Sequence, residues 1–410
     1  MVSFVKEKSW QSRAEKTFKL LISLAAFSLL SSAVPVGLVN LFFYLAVLLA
    51  IPLAWPFRDA ERPNFIEGLG LIIFGIFVVS VVSTGGGVVP KVNALMEYRV
   101  FLLLPVLGIA VRSINGAPDC LLLGIVSGSI VAILGSYLIF FGFFEGSGKS
   151  LGDSIFHGFV VGTTLSITLP TSFDLSRSGK VRGGAALVSF LAILSVYVIE
   201  DGRTAYLSTA AILCAFLITK LPIKYMLLAL LLVVLGIYFG FEVIDPLHSR
   251  LLDSLDSFRL LLAGNSEASS LGMRFEFYRS GLNLGLAHPL FGVGMAEIDS
   301  ILAQSYADGT MLYLTDNLHS EFLTWFVGLG IAGPGLLLLF FGSLLVFGLK
   351  CAKDVSSQSR LYGEAMILFA TLLFVHSLFN SSFKDFGEKH VAILVIALFS
   401  VARSPNKSES

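Results

Sequence analysis

The sequence predicts an all-α integral membrane protein with about twelve transmembrane helices and one long loop on the outer face. Hydrophobic residues make up 55% of the 410 residues and charged residues only 14%, whereas a soluble domain carries roughly a quarter charged residues. Apolar runs of about 20 residues, the length that crosses a ~30 Å hydrocarbon core, recur along the chain. Lysines and arginines concentrate in alternate short connections between these runs. Together these observations favour a polytopic bundle.

The apolar runs give approximate positions for the helices, with a first helix that we expect to be retained because no small-residue cleavage site follows it. The predicted spans are 17–33, 37–54, 67–83, 96–112, 119–144, 156–173, 184–200, 204–219, 222–242, 320–349, 361–380 and 389–403. Nine helices therefore fall in residues 1–242 and three in residues 319–403. Between them lies the long loop 243–318, and a polar tail, 404–410, ends the sequence.

The basic residues predict the orientation of these helices. The N-terminal segment and every second connection are rich in lysine and arginine, including Arg58, Arg112, Lys180, Lys220 and Lys353. Short basic loops stay in the cytoplasm. We therefore expect both termini to be cytoplasmic and the long loop to be outside, where the site should also lie.

The composition excludes several classes of function. A net charge of zero does not favour electrostatic binding of nucleic acid. Three cysteines spread along the chain imply no disulfide framework. No HExxH motif, paired Cys/His spacing, P-loop or dinucleotide glycine pattern is present, so the sequence predicts neither a metal nor a cofactor.

The first candidate segment is the short outer hairpin 200–204, which holds Arg203 at the membrane surface near the bundle. An arginine at this place can bind an anionic group. Alternatively, it extends to the interface or pairs with Glu200 or Asp201, which is equally compatible with the sequence.

The second candidate segment is a helix in the long loop that begins after Ser269 and ends near Pro289. Arg274 and Tyr278 lie one turn apart on one face of it, and Arg279 follows. A helix lying on the membrane with an arginine on its inner face can hold a lipid phosphate. The alternative is that its arginines pair with acids of this loop, which contains nine acidic residues and four arginines.

The third candidate segment is 315–323, where the long loop re-enters the membrane. His319 lies at the outer mouth of the bundle, with Asp316 and Glu321 nearby. A neutral imidazole at this position can accept a proton from a hydroxyl near neutral pH. A lone histidine at a helix end is, however, more often a cap or a surface group.

These three segments, in this order, resemble the O-antigen ligase family, within the O-antigen ligase and polymerase superfamily of bacterial inner-membrane glycosyltransferases. The resemblance rests on the arginine of the hairpin, the arginine heading the loop helix with the turn 289–294 behind it, and the motif 317–323 before a glycine-rich helix. Members commonly have His-Asn where this chain has His319-Ser320. The resemblance implies a GT-C-like membrane fold.

It also implies a reaction: transfer of a polysaccharide from undecaprenyl diphosphate to lipid A-core at the periplasmic face, without a metal. Arg203 and Arg274 would bind the diphosphate and His319 would act as general base, inverting the anomeric carbon. Glu321 or Asp316 would orient the imidazole. Tyr278 or Arg279 would help to bind phosphate or sugar.

Two other functions remain open from the sequence. An O-antigen polymerase would use the same donor with a second lipid-linked glycan as acceptor. A flippase or transporter would move the lipid-linked polysaccharide without chemistry. Transporters place charges near the bilayer midplane, whereas the distinctive charges of this chain lie at its outer edge, which favours an enzyme.

Overall fold

The computed structural model describes residues 2–54, 64–85, 87–144, 153–199, 202–222 and 270–403, with a few single positions between 224 and 259. These residues form helices and connections with no β-strand, which confirms the all-α class. The expected helix 222–242 lies almost entirely outside the described residues, as do the loop up to Ser269 and the tail 404–410.

The described helices lie on either side of the gap that follows residue 222. The first nine are α1 (Val2–Ser31), α2 (Val36–Ala54), α3 (Phe65–Ser83), α4 (Val88–Tyr98), α5 (Val100–Ser113), α6 (Ala117–Phe140), α7 (Ser154–Phe173), α8 (Gly179–Leu194) and α9 (Arg203–Lys220). After the gap come α10 (Ser270–Ala287), α11 (Ile298–Ala307), α12 (Glu321–Leu329), α13 (Ala332–Cys351), α14 (Ser357–Phe379) and α15 (Phe386–Phe399). The loop helix predicted to end near Pro289 is α10.

Seven described segments are long and apolar enough to cross a membrane. They are Val36–Ala54, Phe65–Ser83, Val88–Ser113, Ala117–Phe140, Gly179–Ile199, Ala332–Cys351 and Ser357–Phe379. These spans support a polytopic membrane protein. Much of their apolar surface faces outward, as a lipid solvent requires: Leu48 of α2, Ile72 of α3 and Leu187 of α8 are all exposed.

The helices approach one another where small residues leave room. On α6, a Cβ at Gly128 would lie 2.6 Å from the carbonyl oxygen of Phe27 on α1. On α7, a Cβ at Gly158 would lie 2.5 Å from that of Ala205 on α9. Small residues at such crossings allow close backbone packing in a bilayer. The second contact brings the start of α9, and with it Arg203, against the start of α7.

One predicted span is wrong in its continuity. The sequence predicts a single helix over 320–349, but the helix is interrupted between α12 and α13 at Gly330, whose φ is +64°. Residues other than glycine rarely adopt this backbone conformation, and a Cβ there would lie 2.5 Å from the carbonyl group of Leu290. The break therefore accommodates the loop backbone that packs into it.

The turn 289–294 is bonded along its length to this break. Val293 donates its N–H to the carbonyl of Val327 at 2.8 Å, and Ile331 donates to the carbonyl of Pro289, also at 2.8 Å. Leu290 and Phe291 at its tip are 69% and 86% exposed. The contacts attach this part of the loop firmly to the bundle, while the exposed tip has the character of a membrane-contacting edge.

Gly292 tests how tightly the turn is joined to the bundle. Its φ is +68° and a Cβ would overlap the backbone of Gly328, whereas Gly309 has a similar φ of +71° with open space around it. We expect Gly292→Ala to destabilise the protein by about 1–3 kcal/mol more than Gly309→Ala, since only the first adds overpacking to backbone strain. Apparent melting temperatures in detergent measure this difference. Equal losses would contradict the interlocked turn.

Candidate functional site

Two of the predicted residues, Arg203 and Arg274, line one cavity of about 470 Å³. We call it the arginine cavity. Its walls come from the start of α7, the start of α9, the inner face of α10 and the end of α14, including Tyr278 and Phe379. A volume of this size is typical of a ligand pocket. The structure thus brings together two arginines that are 71 positions apart in the sequence.

Arg203 is the first residue of α9, directly after Gly202 at the N-cap. Its side chain is half-buried, and the wall beside it includes Ser154 and Thr204. Because the N-terminus of a helix carries partial positive charge, this position adds to the guanidinium charge. Glu200 and Asp201, its alternative partners from the sequence, lie outside the described residues.

Arg274 is held in place by two polar contacts. Its guanidinium donates to the carbonyl of Phe379 at 3.3 Å and bonds to the hydroxyl of Tyr278 on the same face of α10. Among the described residues, no carboxylate lies within salt-bridge distance of Arg274. Arg279 differs, since it pairs with the buried Glu276 at 3.1 Å and is 56% exposed. Pairing with loop acids, the alternative from the sequence, thus applies to Arg279.

His319 lies in the connection before α12 and is fixed through its backbone. Its N–H donates to Oδ1 of Asn317 at 2.8 Å, and the hydroxyl of Tyr278 donates to its carbonyl oxygen at 3.1 Å. Its ring stacks against Phe277 with centroids 5.7 Å apart. The backbone has φ +50°, an uncommon conformation for a residue other than glycine that is found often at functional sites.

The imidazole of His319 favours its neutral form. Burial and the positive charge of Arg274 lower its pKa below the ordinary value of 6.5, against the opposing effects of Asp316 and Asp153. A neutral imidazole at pH 7 can accept a proton. Within the described part of the chain, neither ring nitrogen has a hydrogen-bond partner, so both remain available to a substrate.

The sequence suggested that Glu321 contacts the imidazole of His319, but its carboxylate contacts other groups. Its carboxylate accepts hydrogen bonds from Nε1 of Trp325 and from the backbone N–H of Phe383, the latter at 2.8 Å. Its own N–H donates to the carbonyl of Asn380 at 3.1 Å. Both carboxylate oxygens are therefore engaged in holding the start of α12 to the connection between α14 and α15. Asp316 is exposed and acts on His319 through its charge.

A second cavity of about 430 Å³ opens beside His319, and we call it the acidic cavity. Asn317 and His319 line it together with three carboxylates, from Asp153, Asp385 and Glu388. Ile155 belongs to the walls of both cavities. Sequence reasoning missed these three acids because Asp153 is more than 200 positions from Asp385 and Glu388 along the chain. The one available signal was their common place on the predicted outer side.

The connection between α14 and α15 joins the two sides of the site. Ser381 donates to Oδ1 of Asn317 at 2.6 Å. Lys384 donates to Asp299 of α11 at 2.8 Å and to the carbonyl of Asp316. These bonds fix the segment carrying His319 and attach α11 to the bundle.

The described residues contain no group of three or more His, Cys, Asp or Glu side chains placed to hold a metal ion. The polar side chains that line the arginine cavity are those of Arg203, Arg274, Tyr278, Ser154 and Thr204, and Tyr278 also bonds to the backbone of His319. Guanidinium groups bind phosphate oxygens through fixed, always-charged donors. The arrangement can bind a phosphorylated ligand next to a proton acceptor.

One comparison with known protein families gives a match. The family model described as O-antigen ligase matches residues 187–340, a range that includes Arg203, Arg274 and His319. The search of curated proteins found no match.

Proposed function

We propose that this chain, which belongs to the O-antigen ligase family through residues 187–340, transfers a polysaccharide from undecaprenyl diphosphate to lipid A-core. The observation that carries the proposal is the arginine cavity. Arg203 and Arg274 line it from separate helices, and the charge of Arg274 acts on His319 nearby. The proposed place is the periplasmic face of a bacterial inner membrane, with both termini cytoplasmic. The charge pattern of the short connections supports this orientation.

The arginines would bind the diphosphate of the donor and stabilise its departure. When the bond between the anomeric carbon and the diphosphate oxygen breaks, negative charge grows on that oxygen. Arg274 and Arg203 carry fixed positive charge in a half-enclosed cavity, where such stabilisation is stronger than in water. With these two charges at the leaving group, the transfer would proceed without a metal.

His319 would accept the proton of the attacking hydroxyl. As the acceptor oxygen bonds to the anomeric carbon, its proton passes to a ring nitrogen and the diphosphate leaves from the opposite side, which inverts the configuration. The contacts of Tyr278 and Asn317 with the backbone of His319 hold the ring in place for this step. Tyr278 also bonds to Arg274, so it couples the base to the phosphate site.

A polymerase would use the same donor and the same residues with a different acceptor, and deletion of the gene separates the two functions. A ligase defect leaves full-length glycan on the carrier lipid and bare core on the outer membrane. A polymerase defect leaves single repeats attached to core, and a flippase defect traps lipid-linked units inside. We expect the ligase pattern.

Purified protein tests the reaction and its base together. With undecaprenyl diphosphate-linked glycan and lipid A-core, the wild-type chain should form glycan attached to core. His319→Ala should lower kcat by about 10²- to 10⁴-fold, the usual contribution of a positioned base. Gel mobility of the core lipid measures the product. A His319→Ala protein that transfers at the normal rate would exclude the general-base role.

Substitution of the two arginines of α10 distinguishes phosphate binding from a general effect of surface charge. Arg274→Ala should lower kcat by about 10²- to 10³-fold, the cost of losing one donor to a developing negative charge. Arg279→Ala should change it by about twofold or less, because this side chain is exposed and already paired with Glu276. Steady-state kinetics with varied donor measure both. Equal losses in the two variants would contradict the assignment of Arg274.

The pH profile reports the protonation of His319. Its pKa in the free protein lies below 6.5, so the neutral base persists at pH 6.5 and kcat/KM should fall only as pH drops through that lower value. Asp316→Asn removes a charge that raises this pKa, and should move the acid limb to still lower pH. Profiles of kcat/KM for both proteins measure the shift. A limb centred above 6.5, or one that Asp316→Asn moves upward, would contradict this prediction.

A further inference from the structure

The two cavities beside His319 have opposite charge. Arg203 and Arg274 line the arginine cavity, whereas Asp153, Asp385 and Glu388 line the acidic cavity. Lys384 and Lys389 are near these acids but do not line the acidic cavity: Lys384 bonds to Asp299 and the Asp316 carbonyl, and Lys389 to the Lys384 carbonyl. A diphosphate therefore suits the first cavity, and the second calls for a different ligand.

Glu388 is the observation that points to a ligand in the acidic cavity. Its side chain lies in the first turn of α15, is only 4% exposed, and lines the cavity wall. In the part of the chain that the structure describes, no other residue donates a hydrogen bond to its carboxylate, which receives one from its own backbone N–H. Burial and the charge of Asp385 raise the pKa of Glu388 to about 8, so near pH 7 the group is mostly a neutral carboxyl that faces the cavity and can both donate and accept a hydrogen bond. Hydroxyl groups of a bound molecule would supply the partners.

The other walls of the acidic cavity fit a sugar ring. Asp385 accepts from Nδ2 of Asn317 at 3.4 Å, and Asp153 accepts from the backbone of Ile155 at 3.2 Å, which leaves each carboxylate further acceptor capacity. Half-buried Phe156 and Phe386 add apolar surface. Carboxylates accept hydrogen bonds from adjacent hydroxyls, while aromatic rings pack against the C–H face of a pyranose.

We propose that the acidic cavity is the acceptor subsite, and that it accepts a sugar without phosphate or carboxylate groups. This rests on the proposed function, because it places the attacking hydroxyl next to His319 and across Ile155 from the donor diphosphate. Asp153 and Asp385 repel an anionic substituent, and the arginines that would attract one line the other cavity. The subsite thereby selects the acceptor sugar by charge as well as by hydrogen bonding.

Steady-state kinetics of the purified full chain test the subsite. The donor is undecaprenyl diphosphate-linked glycan, and the acceptors are lipid A-core ending in a neutral hexose and the same lipid with that hexose phosphorylated. Wild type should prefer the neutral acceptor by about 100-fold or more in kcat/KM. Glu388→Gln should raise the KM for the neutral acceptor by about threefold to tenfold, since the loss of the hydrogen bond from its hydroxyl group costs about this much, and should leave the donor KM within about twofold. Asp153→Asn should weaken the discrimination against phosphate.

A pair of variants on α2 tests the acceptor subsite without changing the buried Glu388. Val36 lines the acidic cavity and Leu38 does not, although both are exposed, at 57% and 46%. Val36→Trp should raise the acceptor KM, and Leu38→Trp should leave it unchanged. An unchanged acceptor KM in both Glu388→Gln and Val36→Trp, or equal use of the phosphorylated acceptor, would overturn the subsite alone. A wild-type chain that transfers glycan to no acceptor would overturn the proposed function as well.

Discussion

The carboxylate of Glu321 joins two parts of the chain at the outer end of the bundle. It accepts hydrogen bonds from Trp325 within α12 and from the backbone of Phe383 in the connection between α14 and α15. Trp325 is fully buried among aromatic rings that include Phe77 and Phe101. Without these two hydrogen bonds, the buried carboxylate would carry a large desolvation cost. The need to satisfy it therefore keeps Trp325 and Phe383 in place beside Glu321. The position of His319, two residues earlier, depends on this junction.

From that junction the site extends in two directions. Asn317 connects the His319 backbone to Ser381, and Tyr278 connects the His319 carbonyl to Arg274. His319 thereby lies in the wall of the acidic cavity and is connected through Tyr278 to the arginine cavity. In a reaction between a diphosphate and a hydroxyl, each partner would find the charge that suits it on its own side of the base.

Hydropathy and motif order predicted much of this arrangement, since a bilayer permits few solutions for an apolar chain. Arg203, Arg274 and His319 stood out because charged groups at the outer ends of apolar runs are few. Asp153 and Glu388 could not be found in this way, because single acids in outer connections are common and only folding brings these two together. The break at Gly330 was also hidden. A glycine with positive φ cannot be told by sequence from a helix-packing glycine such as Gly333, since both stand in the same apolar run.

The wall that Ile155 contributes to both cavities has a consequence for the order of events. Two substrates that occupy separate chambers need not displace each other, and neither has to leave before the other arrives. The proposed reaction would then pass through a ternary complex, with intersecting double-reciprocal plots, and would need no covalent glycosyl-enzyme intermediate. The partition between the chambers would also keep the acceptor's other hydroxyls away from the diphosphate.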